Sequence, residues 1–121
     1  MHINIEAAEQ HAVQSYSGNK IQINSVIYEH SLIVSREKII SDLSIKHVVD
    51  IDEPYLQLLL QEKPELILIG HVDTGLFPPM SIISTLSRMR IGVESMSLGA
   101  ACRTYNVLLA EGRAVVAGFI F

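Results

Sequence analysis

The residue types able to bind a ligand or react cluster in two short segments. The first, Gly70-His71-Val72-Asp73-Thr74-Gly75, follows the apolar run Leu66-Ile67-Leu68-Ile69 and opens like a phosphate-binding loop after a strand. Leu76-Phe77 then stands where such a loop needs a lysine for phosphate and a hydroxyl for magnesium, so the P-loop reading fails. Pro78 and Pro79 remove two backbone donors from the helix start that follows and weaken an anion site there. The glycines are expected to serve the turn, with Phe77 anchoring it. The second segment, Ser97-Leu98-Gly99-Ala100, keeps its N–H groups, and Arg103 adds positive charge one turn on. A small anion suits that arrangement. Against it, Ser97 could satisfy the same donors as an N-cap, and Arg103 could pair with a carboxylate. Gly70, His71, Asp73, Ser97, Gly99 and Arg103 are therefore the candidate ligand rim.

No reactive set accompanies them. Cys102 is the sole cysteine, so an intrachain disulfide is excluded and a reducing cytosol is the simpler setting. It lies too far from the helix start for backbone donors to stabilise a thiolate, and Ala100, Ala101 and Tyr105 around it predict a small core residue. The five histidines, His2, His11, His30, His47 and His71, lack the close pairing of metal-binding helices or knuckles. His71 with Asp73 reads as a surface histidine beside a turn-forming aspartate. Glu94 sits in an apolar strand and could be a desolvated base, but it has no second carboxylate near it in sequence and reads as edge-facing or arginine-paired. The expectation is a protein with no catalytic residues, metal or cofactor.

Positioning these residues requires a sheet. Ala12 to Tyr16 reads as a strand ending in Ser17-Gly18-Asn19, and Ile21 and Ile23 alternate with Lys20, Gln22 and Asn24 as a strand with one wet face does. Asn24-Ser25 reverses the chain, and Val26-Ile27-Tyr28 and Leu32-Ile33-Val34 add further strands. Arg36 to Val49 is mixed. Asp52 caps a helix carrying Leu56, Leu59 and Leu60 on one side, stopped by Lys63-Pro64. Leu66 to Ile69 is a central strand covered on both faces. After Pro78-Pro79 comes a helix whose core stripe is Ile82, Leu86 and Met89, supported by Ile83, with Ser84, Ser87 and Arg88 facing water.

Ile91 to Met96, Leu98 to Ala110 and Val115 to Phe121 complete a βαβαβ unit with three neighbouring parallel strands, its second helix closed by Glu111-Gly112. The fold class expected is α/β (α+β): one domain over residues 1–121, with antiparallel N-terminal strands sharing a core with a C-terminal parallel βαβαβ layer, three layers in β/β/α order. Residues 1–10 are expected to be flexible. In open α/β sheets ligands favour the loops after the strand carboxyl ends, which puts both candidate segments on one rim.

Composition bounds the function. The 121 residues, 49% of them apolar, suffice for one core without staples and exclude a disordered chain. Thirteen acids against nine bases leave no basic footprint for nucleic acid and favour a basic partner patch with salt-sensitive association. Met1 to Gln10 lacks the pattern of a signal peptide, and the longest uncharged apolar stretch, Ala114 to Phe121, is far short of the roughly 20 residues of a membrane span.

The stretch Gly92-Val93-Glu94-Ser95-Met96 and the block Ala100-Ala101-Cys102-Arg103-Thr104-Tyr105-Asn106-Val107-Leu108-Leu109-Ala110-Glu111-Gly112-Arg113 resemble a small family of uncharacterised bacterial and archaeal proteins that includes a mitochondrial assembly factor of respiratory complex I. Ser31-Leu32-Ile33-Val34, Pro64 to Gly70 and Phe77-Pro78-Pro79 support the match, which runs from about Ile21 onward. The resemblance implies a β/α domain with a mixed sheet and a non-enzymatic role. The chain departs from the family after Gly70, where a Thr-Gly pair is common and His71-Val72 stands instead.

The leading expectation is thus a non-catalytic protein-binding module that assists assembly or maturation of a larger, respiratory complex. Its partners would be subunits or assembly factors, with a homodimer through an exposed strand edge as a further form. The expected location is the cytoplasm, peripheral to the inner membrane. The alternatives are a small-molecule or anion-binding domain using the rim and an enzyme centred on Cys102.

Overall fold

Two hairpins open the described chain, which in this computed structural model comprises residues 11–121. His2, the reading of Met1 to Gln10 against a signal peptide and the expected flexibility of residues 1–10 lie outside the described residues. Strands β1 (Val13–Ser17), β2 (Lys20–Ile23) and β3 (Val26–Tyr28) form a three-stranded antiparallel sheet. Asn24 and Ser25 make the second reversal with φ of 53° and 66°, the left-handed geometry that suits a two-residue hairpin. Ile21 and Ile23 are buried while Lys20 is exposed, so the period-two pattern sets the face of this sheet.

The larger sheet has five strands in the order β5 (Ile39–Leu43), β4 (Ser31–Val34), β8 (Val115–Ile120), β6 (Leu66–His71), β7 (Gly92–Ser97). β6 runs parallel to both β7 and β8, and β4 and β5 extend the sheet antiparallel on the far side of β8. The βαβαβ unit is therefore present with its three strands adjacent. β5 falls within the stretch Arg36 to Val49 that carries no clear period. Its pairing with β4 slips between Ser31 and Ile33, and Asp42 stands at φ 57°, which scrambles the alternation a strand normally shows.

Helices follow their caps. Asp52 accepts a hydrogen bond from the Tyr55 N–H at 3.1 Å and opens α1 (Glu53–Leu60), whose Leu56 and Leu59 are buried. Pro79 precedes α2 (Met80–Arg88), and Ser97 accepts from the Ala100 N–H at 3.3 Å to start α3 (Leu98–Ala110). Gly112, at φ 79°, ends α3 in the left-handed conformation that glycine adopts without strain. The stripe of α2 is narrower than expected. Ile82 and Leu86 are buried, but Met89 is 49% exposed because the helix has ended there and turned away from the sheet.

A single α+β domain in three layers results. One face of the five-stranded sheet, with Leu68, Ala117 and Phe119, buries α3 residues Ala101, Cys102, Tyr105 and Leu109 beside Ile21 and Ile23 of the small sheet. The opposite face, with Ile67, Ile69, Val116 and Ile120, receives Tyr55, Leu56 and Leu59 of α1 and Ile82 and Leu86 of α2. One outer layer is thus the small sheet with α3 alongside, and the other is α1 and α2. Asn106 joins the elements of the mixed layer by bonding both the N–H and the carbonyl of Val13, each at 2.8 Å.

Candidate functional site

His71 pairs with both Ser97 and Ile120, so β6, β7 and β8 end level and their loops share one rim. A cleft of about 240 Å³ opens there, lined by His71, Thr74, Gly75, Leu76, Phe77, Ser95, Met96 and Ser97. The reading of His71 as a surface histidine is corrected: it is only 8% exposed, because its position in β6 turns it toward the face covered by α1 and α2. Burial lowers its pKa, and the nearby Asp73 carboxylate opposes that in part.

The bonds of this ring decide its chemistry. The Asp73 N–H points at Nδ1, 3.1 Å away, and Nε2 lies 3.1 Å from the Ser95 hydroxyl. Nδ1 therefore accepts, which assigns the proton of the neutral ring to Nε2, where it is donated to Ser95. A general base would need Nε2 free to accept the hydroxyl proton, with Nδ1–H held by a carboxylate. The arrangement orients a loop rather than activating a nucleophile.

Asp73 turns from the same loop toward the Val48–Asp50 segment. One carboxylate oxygen accepts the Val48 N–H at 2.8 Å, and the other lies 3.2 Å from His47 Nδ1. These contacts, the Val48 bond foremost, hold its carboxyl below the usual range. They tie the β6–α2 loop to the short 3₁₀ turn Val48–Asp50. Sequence reasoning missed Ser95 and His47. Ser95 shares the face of Val93 by simple alternation and was accessible to that argument, whereas His47 is 26 residues from Asp73 and carried no local signal.

The other rim candidates are drawn elsewhere. Gly70 is buried under α3, where an added Cβ would lie 2.5 Å from the Ala101 Cβ and 3.2 Å from the Phe119 ring. Its role is close helix–sheet packing, and only Gly75, at φ 80°, serves the turn. Gly99 faces the Tyr16 ring, and the Arg103 guanidinium donates to the Tyr16 hydroxyl. Ser97 is occupied as the N-cap of α3. His71 and Ser97 thus line the cleft, Asp73 is turned to Val48 and His47, and Gly70, Gly99 and Arg103 serve α3 and its contact with the small sheet.

Contrary to the expectation that Phe77 anchors the turn, its side chain stands in solvent. It is 71% exposed, Met80 is 74% exposed, and Val72 and Leu76 beside them are about half exposed; Pro78 is the buried member of this segment. Cys102 lies in the core, and burial pushes its thiol up to about 12 despite the neighbouring Arg103. Glu94 is exposed on β7. No group of three or more potential metal ligands exists among the described residues, and none of their helices is long and apolar enough to cross a membrane.

Comparisons with known proteins agree with this architecture. The chain is 33% identical over 103 residues to a protein of Francisella tularensis subsp. holarctica named "13 kDa major membrane protein", covering 84% of each. A solution structure from Bordetella pertussis, described as an Mth938-like domain, superposes with a TM-score of 0.79 at 27% identity over 94% of this chain and 86% of that one. The crystal structure of an outer membrane protein from Bartonella henselae gives 0.77 at 30% identity, covering 91% and 93%. The model of a family described as "Protein of unknown function (DUF498/DUF598)" matches residues 13–120, in keeping with the uncharacterised family that the Ala100–Arg113 block resembles. The chain belongs to the DUF498/DUF598 family.

Proposed function

We propose that the protein is a non-catalytic contact module that docks another protein on the apolar rim of Val72, Leu76, Phe77 and Met80. The exposure of Phe77 on a pinned loop and of Met80 at the start of α2 carries this reading, since large apolar side chains grouped on a rim mark an interaction site more often than a neutral surface. Three anchors hold the loop: the Asp73 bond to His71, the Asp73 bonds to Val48 and His47, and buried Pro78. Preorganisation of this kind lowers the ordering cost of association. The His71 tautomer and the buried Cys102 support contact over turnover.

The larger assembly we have in view is a respiratory complex, supported by the resemblance to a family that holds a complex I assembly factor. The setting is the cytoplasm at the periphery of the inner membrane; the membrane names of the Francisella and Bartonella relatives support an association with a membrane. Co-purification from the native host, at low and moderate salt, tests the reading. Wild-type chain should recover a defined protein, and a Phe77→Ser/Met80→Ser variant of unchanged melting temperature should recover at most a tenth as much. Equal recovery by both, or none by either, would overturn it.

The cleft of about 240 Å³ favours a second reading, a small polar metabolite held by His71, Thr74, Ser95 and Ser97. A thermal-shift screen separates the two, because an occupied cleft raises the melting temperature and Ser95→Ala removes the rise.

A further inference from the structure

Among the described residues four strand edges terminate the two sheets, and three of them are blunted. β5 carries the pairing slip and Asp42 at φ 57°. β1 slips between Val13 and Ser15 and is bonded to Asn106 of α3, and β3 has only three residues. β7 differs. Its six residues pair with β6 in unbroken register from Leu66↔Gly92 to His71↔Ser97, and no other strand lies on its outer side among the described residues. It contains no proline, and its one charge, Glu94, is exposed and forms no ion pair among the described residues. Folds normally protect an edge this long and regular, because its unpaired N–H and C=O groups template another strand.

The side chains around this edge describe what would fit it. Val93 and Ser95 lie on the face of α1 and α2, with Val93 against the core cluster there and Ser95 at His71. Glu94 and Met96 lie on the opposite face, where Met96 meets the α3 cluster. The carboxyl end of β7 supplies Ser95, Met96 and Ser97 to the cleft that Leu76 and Phe77 wall. The apolar rim and the open edge are thus one continuous surface.

Building on the contact reading above, we propose that β7 receives an extended segment of the partner protein as a sixth strand, with a basic side chain beside Glu94 and apolar side chains beside Val93 and over the Phe77 cleft. Backbone hydrogen bonds along β7 would supply affinity, and the alternating side chains specificity. The surplus of acids over bases in the chain, 13 against 9, matches the basic side chain.

The test pans a display library of random ten-residue peptides against the full chain. Enriched peptides should alternate apolar and basic residues, and a synthetic copy should slow hydrogen exchange at the amides of Gly92 to Ser97. Glu94→Lys should leave the melting temperature unchanged and weaken that peptide at least fivefold. The proposal falls if nothing is enriched, if the enriched peptides lack alternation, if β7 amides exchange at their original rate, or if β7 instead pairs two copies of the chain. Should the native partner still depend on Phe77 while β7 amides stay unprotected, strand addition fails and the contact reading survives.

Discussion

Gly118 and Tyr55 make a pair whose energetics follow from geometry. Gly118 lies in β8 between Ile33 of β4 and Ile69 of β6, and the Tyr55 hydroxyl of α1 rests against it. That hydroxyl is buried with no hydrogen-bond partner among the described residues, and burial raises its pKa. A Cβ at Gly118 would overlap the hydroxyl oxygen, with Leu59 Cδ2 next at 3.3 Å. Gly118→Ala should therefore push α1 off the sheet and cost about 1–3 kcal/mol, a strain only partly offset by the lower entropy of the unfolded chain. Tyr55→Phe removes an unsatisfied polar atom and should be neutral or stabilise by about 1 kcal/mol. In the double variant the worst overlap is gone, so Gly118→Ala should then cost less than about 0.5 kcal/mol. The coupling energy is about 1–2 kcal/mol, readable from guanidinium unfolding by far-UV circular dichroism and as a melting-temperature difference of about 3–8 °C. Additivity of the two substitutions within about 0.5 kcal/mol, or a Tyr55→Phe variant clearly less stable than wild type, would refute the reasoning.

Other consequences are as direct. Because His71 is buried with a lowered pKa, the unfolded chain binds a proton more readily than the folded one; stability should be complete above the ordinary imidazole value near 6.5 and fall as pH drops through and below it. His71→Gln should flatten that slope in thermal unfolding between pH 7.5 and 5. Asp73 has the opposite dependence on charge, and its contribution should be lost only as pH falls below the ordinary carboxylate range near 4. Cys102 should resist a thiol reagent at neutral pH in the folded protein and react at once in denaturant, measured by absorbance. Ser97→Ala should cost about 1 kcal/mol through loss of the α3 cap, seen in chemical unfolding.

Patterning made most of the frame legible. Alternation at Ile21 and Ile23, the Asp52 and Ser97 caps, and the apolar runs at Leu66 and Val115 each express a local rule, and the structure obeys them. β5 was not legible because a slipped pairing and a left-handed Asp42 break the period on which strand reading depends. The site was only half legible, for a different reason. That β6 and β7 end on one rim follows from topology, but the partners of each rim residue are set by tertiary contacts. Arg103 goes to Tyr16, 87 residues away, and Asp73 goes to Val48 and His47. Phe77 shows the limit most plainly: its apolar character predicted an anchor, yet Pro78 is the buried residue and Phe77 stands in solvent.

Site-specific photo-crosslinking in the native host tests the central claim most directly, with a photoreactive amino acid placed at Phe77 and, as a control, at Val107, which is also exposed but lies on α3. Contact through the β6–α2 rim predicts one discrete protein adduct from position 77 and none from position 107. No adduct from position 77, or the same adducts from both positions, would contradict it.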